Sequence, residues 1–219
     1  MNLFNTDGLP YKIATVIYNM LILNILWVLF SIPFITIGAS TTALFYVTGK
    51  LIRGETVTSI IKPFWHSFKS NFKQATIIWL ILFFFFSIIY TNIVNIEFMG
   101  NLRSLFGPIQ LVLLLEGVIV SIYIFPLLAR HHIGTVDAFK ASFYIGNRHI
   151  LTTIPCLAVF PGIYYLLMWR GYFIFFVMSI YSFWISYLIR GKFARYAGIE
   201  KEEEDTENES ESDITNKID

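Results

Sequence analysis

The chain alternates five long apolar runs with shorter polar segments. A helix needs about 20 mostly apolar residues to cross a hydrocarbon core roughly 30 Å thick, and each run is near or above that length. Because lipid offers no water to the backbone N–H and C=O groups, such runs are expected to be helical. The pattern predicts an all-α, polytopic membrane helix bundle whose five transmembrane helices cover about 13–37, 74–96, 106–128, 150–168 and 172–189.

Two of the polar segments predict short amphipathic helices, the first elbow (63–74) before the second span and the second elbow (137–147) before the fourth. In the first elbow, phenylalanines at four-residue intervals would form one apolar stripe, with lysines beside it. The motif at 64–68 recurs at 139–143, which suggests a duplicated unit of helix, elbow and helix. The elbow side chains predicted to dock on a partner are Phe64, Trp65, Phe68, Asn71, Phe139, Phe143 and Asn147.

Segment 40–53 predicts another short helix, with Ser40 or Thr41 as its cap and a basic end. Pro33 is expected to end or kink the first span. At 13 or 14 residues the segment is too short to cross a bilayer. We expect it to lie along the inner interface or to fold back against the bundle; a re-entrant loop is the less favoured alternative.

Composition supports a membrane protein, since 56% of the residues are hydrophobic and only 14% are charged, against about a quarter charged in soluble domains. The net charge of +1 conceals an asymmetry: residues 1–199 carry a balance of +9 and residues 200–219 a balance of −8. Residues 200–219 also lack apolar periodicity, which predicts a disordered, acidic cytoplasmic tail. The single cysteine, Cys156, excludes an intrachain disulfide.

The basic residues predict the orientation of the bundle. With five spans, thirteen Lys and Arg residues fall on one side of the membrane and three on the other. Positive charge is enriched in cytoplasmic loops. We therefore expect the N-terminus outside the cell and the C-terminus in the cytoplasm.

Glu116 is the main candidate for an intramembrane polar site, because it interrupts the third apolar run. An ionised carboxylate at the bilayer centre costs at least about 2.5 kcal/mol, so such a group usually faces a cavity or a polar partner. One interpretation is a proton or cation site in a transport path. The other, which we favour, is a protonated glutamic acid that holds the bundle together by a hydrogen bond to Asn19 or Asn24. These two asparagines are expected to form interhelical hydrogen bonds.

The sequence contains no motif for a catalytic site, a cofactor or a metal centre. His131 and His132 lack a third ligand at a metal-binding spacing. The basic segments are better explained by orientation and by anionic membrane lipid than by nucleic acid. We expect a protein that is not an enzyme.

Two stretches resemble the YesL-like family of bacterial integral membrane proteins, which is defined by a domain of unknown function. The first comprises Leu29–Leu44 and Lys50–Glu55, and the second is Phe64–Gln74. The resemblance extends to about Tyr196 and implies a five-span protein of the bacterial cell (plasma) membrane with no assigned activity. Its members' genes are often placed beside sugar uptake transporters and glycan-degrading enzymes.

The resemblance favours an accessory or assembly partner of a carbohydrate uptake transporter, bound to an ABC-type sugar transporter permease. The alternative is a self-contained small transporter or channel, working as a homo-oligomer and using an intramembrane carboxylate. The few polar residues of the spans favour the first hypothesis.

Overall fold

The structure is a computed structural model that describes residues 9–55, 57, 59–169 and 176–189. Within these ranges the regular structure is entirely helical, which confirms the predicted all-α class. Short 3₁₀ turns cover Phe34–Thr36 and Ile96–Leu102. The helices are α1 (Leu9–Ser31), α2 (Ile37–Ile52), α3 (Ile61–Val94), α4 (Arg103–Leu128), α5 (Thr135–Arg148), α6 (Ile150–Trp169) and α7 (Val177–Ile189).

Several of these helices have the length and composition of membrane spans. In the described part of the chain, four segments are long and apolar enough to cross a bilayer, namely Ala14–Ser31, Phe34–Ile52, Ile61–Val94 and Arg103–Leu128. The fourth predicted span coincides with the 20-residue helix α6. Residues 172–175, which begin the fifth predicted span, and the tail at 200–219 lie outside the described residues. The chain is a membrane protein, and its five-span count stays a prediction.

The connection between α1 and α2 is a tight turn built on Pro33. As predicted, α1 stops just before this proline, at Ser31. The hydroxyl Oγ1 of Thr36 donates to the carbonyl oxygens of Phe30 at 2.6 Å and of Pro33 at 2.7 Å, which closes the turn. Helix α2 therefore starts at Ile37, and the predicted cap at Ser40 or Thr41 is wrong, because both residues lie inside the helix.

Helix α2 is folded back into the bundle. Most of its residues are buried, and it packs along the first half of α3. The closest approach is at Gly38, where a Cβ atom would lie 2.3 Å from the carbonyl oxygen of Ala75 and 2.7 Å from Trp79 Cβ. Only glycine lets two helix backbones come so close. Of the two placements expected for this segment, packing against the bundle is the one observed.

The first elbow is not a separate helix, which corrects the sequence prediction. It forms the first turns of α3, a continuous helix of 34 residues. No proline or glycine separates residues 64–94, so nothing in this stretch breaks the helix. Two phenylalanines of the elbow's apolar stripe face protein, since the ring of Phe30 on α1 lies 5.6 Å from that of Phe64 and 4.9 Å from that of Phe68. The third, Phe72, is exposed.

The second elbow is a helix of its own, α5, which ends at Arg148. Its C-cap residue, His149, leaves helical geometry with a φ of −112° and a ψ of 47°, and α6 starts directly afterwards. Helix α5 packs against α4 at Gly146, where an added Cβ would lie 2.3 Å from Ile119 Cγ2. The end of α5 is thereby held near the middle of α4.

Candidate functional site

Glu116 meets a different partner from the one expected. Its Oε2 accepts a hydrogen bond from Nδ2 of Asn147 at 3.0 Å. Asn147 also donates to the carbonyl oxygen of Phe143, one turn earlier on α5, at 3.1 Å. The structure therefore pairs Glu116 with Asn147 and not with Asn19 or Asn24. Helix α5 packs alongside α4, and this places the side chain of Asn147 next to the half-buried carboxylate.

Asn24 forms an interhelical hydrogen bond, as expected for a polar residue within a span. It is 2% exposed, and its Oδ1 accepts the backbone N–H of Met178 at 3.1 Å. Met178 is the second residue of α7, so its N–H is one of the four donors that a helix start leaves without an intrahelical partner. Beside it, Ser179 Oγ donates to the carbonyl oxygen of Met20 at 2.7 Å. Asn19 is half-buried, five residues earlier on α1.

In the first elbow, the candidate docking residues divide between two faces. Phe64, Phe68 and Asn71 are buried, and they belong to the packing of α3 against its neighbours. The Nδ2 of Asn71 donates to the carbonyl oxygen of Ser67 at 3.0 Å. Trp65 is 50% exposed. It is therefore the first-elbow candidate that offers a surface to another molecule.

In the second elbow the candidates are more open. Phe139 is half-buried, Phe143 is 51% exposed, and Asn147 is exposed. The two elbows share one local device, since Asn147 bonds back to the carbonyl oxygen four residues earlier, as Asn71 does in the first elbow. The motif similarity thus extends to side-chain geometry, whereas the burial of the second phenylalanine differs.

An open groove of 610 Å³ runs along the exposed side of the first elbow. Its described lining residues are Lys62, Trp65, His66, Lys69 and Ser70. An aromatic ring between two lysines can bury apolar area while the ammonium groups stay solvated. This face can therefore contact a partner or a lipid headgroup.

Most of the buried polar side chains of the bundle have a hydrogen-bond partner close by. Thr42 Oγ1 donates to the carbonyl oxygen of Gly38 at 3.0 Å, and Thr48 Oγ1 donates to that of Leu44 at 2.7 Å, both one turn back on α2. Such bonds let a hydroxyl enter an apolar interior without a second polar group. Sequence reasoning missed that Thr41, Thr42 and Thr48 of α2 all use this device, whereas the buried Oγ of Ser40 has no hydrogen-bond partner within the described part of the chain. The recurrence of Thr and Ser between apolar residues at 40–48 was the available signal.

Two side-chain bonds between distant helices were also missed. The hydroxyl groups of Tyr123 and Thr153 lie 2.8 Å apart, and those of Thr48 and Ser182 lie 2.9 Å apart. These contacts join α4 to α6 and α2 to α7. Their sequence separations of 30 and 134 residues carry no periodic signal that would have identified them.

Comparison with known proteins agrees with the sequence resemblance. Residues 20–93 match the family model described as "Protein of unknown function, DUF624". The chain is 25% identical over 167 residues to the uncharacterized protein YteU of Bacillus subtilis (strain 168), covering 73% of this chain and 74% of that protein. No solved structure matches. The YesL-like family is a DUF624 family, so the resemblance is confirmed.

Proposed function

We propose that this protein, whose residues 20–93 match the DUF624 family model, is an accessory or assembly partner of a carbohydrate uptake transporter, without enzymatic activity of its own. The partner in this proposal is an ABC-type sugar transporter permease in the bacterial cell membrane. The observation that carries the proposal is the exposure of Trp65 and Phe143 on the two elbows. Exposed aromatic side chains flanked by polar groups are typical anchors of protein–protein interfaces.

The hydrogen bonds of the α2 threonines and of Glu116 support an accessory role better than a transport path, whereas the buried side-chain oxygens of Ser40, Thr76, Gln110 and Ser142 have no partner among the described residues. In α2, hydroxyl groups such as those of Thr42 and Thr48 bond to their own helix. Glu116 is held by Asn147. Side chains that already have partners stabilise packing, whereas a transport path needs polar groups that a substrate can reach.

The proposal places the N-terminus outside and the C-terminus in the cytoplasm, so that both elbows face the cytoplasm. This orientation depends on whether α2 crosses the membrane. If α2 crosses the membrane together with its 3₁₀ turn, the number of crossings becomes even and both termini lie in the cytoplasm. The side on which the N-terminus lies therefore reports whether α2 spans.

Replacing Trp65 and Phe143 with alanine tests the docking role. Affinity purification of the tagged chain from native membranes in mild detergent, with quantitative mass spectrometry, is expected to recover the permease near stoichiometry. The double variant should recover about tenfold less or lower, because truncating an aromatic anchor costs about 2 kcal/mol or more.

The matched control is Phe84→Ala, which removes a ring that is 61% exposed on the apolar half of the same helix, α3. It should leave permease recovery unchanged. Recovery of the wild-type chain alone, or only with copies of itself, would contradict the accessory role and favour the self-contained transporter.

The contact between Glu116 and Asn147 is the observation that keeps the transporter alternative open. Glu116→Gln retains an oxygen acceptor for Asn147 but removes titration. Under the accessory proposal, this variant should match the wild type both in melting temperature and in proton flux into liposomes. A wild-type flux that Glu116→Gln abolishes would establish the alternative.

A further inference from the structure

A second, smaller pocket adjoins the open groove along the first elbow and shares His66 and Ser70 with it, at the place where three elements meet. It has a volume of 120 Å³ and is lined by α2, α3 and the connection between α4 and α5. A cavity volume of roughly 10–15 Å³ is enough to hold one water molecule, whereas drug-sized ligands need about 300 Å³ or more. The pocket therefore fits a chemical group of a few heavy atoms rather than a whole sugar or peptide.

The described lining of the pocket combines hydrogen-bonding side chains and one guanidinium group with the apolar side chains of Leu128 and Ala129. Its described lining includes Tyr46 from α2, Ser70 and Asn71 from α3, and Arg130, His131 and His132 from the connection. None of the described lining residues is a carboxylate, and the described part of the chain contains no group of His, Cys, Asp and Glu residues able to hold a metal ion. The chemistry of this set favours an anion over a cation.

Two guanidinium groups converge beside the pocket. A Cβ built on Gly49 would lie 3.4 Å from Nη1 of Arg53 and 3.7 Å from Nε of Arg130. Burial, and then the charge of Arg53, lower the pKa of Arg130 to about 10. Arg130 remains protonated at neutral pH. Its positive charge is therefore kept in surroundings that destabilise it, through burial and through the nearby charge of Arg53. An anion in the pocket would offset this cost.

The nearby carboxylate of Glu55 is engaged elsewhere. Its Oε1 lies 2.7 Å from Nε of Arg53, and its Oε2 lies 3.4 Å from Nζ of Lys50. The hydrogen bond from Arg53 is the main reason why the pKa of Glu55 is lowered. Glu55 thus offsets one of the two positive charges of Lys50 and Arg53.

The pocket wall is held in position before any ligand enters. Gln74 Nε2 on α3 donates to the carbonyl oxygen of Ile133 at 2.7 Å, which fastens the connection between α4 and α5 to the first elbow. On the same side, Asn71 Nδ2 donates to Ser70 Oγ at 3.2 Å. Ordering the donors beforehand reduces the entropy lost when a ligand binds.

We propose that this pocket binds the phosphate group of a phosphomonoester, with the Arg130 guanidinium as the principal contact and Ser70 and His132 at its sides. A guanidinium presents two parallel N–H donors that match the oxygen atoms of a phosphate. The phosphate can belong to a membrane lipid headgroup or to a soluble ester. Both sources present the same phosphate group, so the pocket volume and its hydrogen-bond donors suit either one.

The test uses the full chain in phosphatidylcholine nanodiscs. In one arm, inorganic phosphate is titrated and its heat of binding is measured. In the other arm, nanodiscs with added phosphatidic acid are compared with pure phosphatidylcholine by the melting temperature of the protein. Arg130→Gln should weaken binding about tenfold or abolish the lipid-dependent shift, since it removes a charge-assisted hydrogen bond.

Arg103→Gln is the matched control, because Arg103 is exposed at the opposite end of α4 and its loss changes the net charge equally. It should leave both readings unchanged. A response in the lipid arm alone identifies a lipid phosphate, and a response in the soluble arm alone identifies a soluble ester. The absence of a wild-type response in both arms, or an equal loss in both arginine variants, overturns the proposal.

His132→Ala keeps the proposal testable if Arg130→Gln fails to fold. His132 is exposed, so its replacement removes a pocket group without disturbing the interior. Binding should weaken by a factor of about three, the loss expected for one uncharged hydrogen bond. Unchanged binding in this variant, together with unchanged binding in Arg130→Lys, overturns the assignment of the pocket.

Discussion

Replacing Gly38 with alanine is expected to destabilise the bundle by about 1–3 kcal/mol, the usual cost of forcing extra atoms into a packed interior. The added methyl group would lie 2.3 Å from the carbonyl oxygen of Ala75, and this neighbour is backbone that cannot rotate away. Alanine favours a helix over glycine by up to about 1 kcal/mol. The clash exceeds this gain, because relieving it requires α2 to move away from α3.

The measurement is thermal unfolding of the purified protein in detergent, with Gly162→Ala as the control. Gly162 lies inside α6, and an added Cβ there meets nothing within 4 Å among the described atoms. The control should unfold at the wild-type temperature or slightly above it. Equal stability of the Gly38→Ala variant and the wild type would contradict the close approach of the two helices.

Replacing Asn24 with leucine is expected to cost about 1–3 kcal/mol, because it leaves a partly buried backbone donor without its partner. Asn24 Oδ1 accepts the N–H of Met178 at 3.1 Å, and this donor belongs to the first turn of α7. Leucine has nearly the same size but no acceptor. Helix α7 should therefore detach from α1 more easily, although the bond from Ser179 to Met20 remains.

Limited proteolysis and hydrogen exchange along α7 would detect this loosening, since local opening raises exchange before global unfolding does. Asn19→Leu serves as the comparison, because it makes the same chemical change on the same helix at a half-buried position. It should have a smaller effect. Equal protection of α7 in the two variants would argue against a specific role of Asn24 at the start of that helix.

The sequence was sufficient to predict where most helices lie. Apolar runs of bilayer length have few alternatives to a helix, and α1, α3, α4 and α6 coincide with four of them. The turn at Pro33 was equally predictable, because proline cannot continue the hydrogen bonds of a helix. These features depend on residues close together in the chain.

The burial of α2 was not predictable in the same way. Its threonines and serines lower the hydropathy of the segment and make it resemble an interfacial helix. Hydroxyl groups that bond to their own backbone, as those of Thr42 and Thr48 do, lose most of the cost of burial. The sequence shows the hydroxyl groups, whereas their satisfaction depends on the rotamers that the packed helix permits.

The partner of Glu116 was unpredictable for a different reason. Asn147 lies 31 residues away, on a helix that returns alongside α4. Which residue it brings to the carboxylate depends on the length of the connection after Leu128 and on the contact at Gly146. Residue spacing within one helix carries no information about either.

The hydrogen bond between Thr48 and Ser182 has a consequence for biosynthesis, since 134 residues separate its two ends. At about 5–20 residues per second, a ribosome needs roughly 7–27 s to add that length of chain. Throughout this interval α2 lacks the partner of its Thr48 hydroxyl on α7. The surroundings of Thr48 are thus completed only once α7 has been made, and a chain cut short before α7 would be defective near α2.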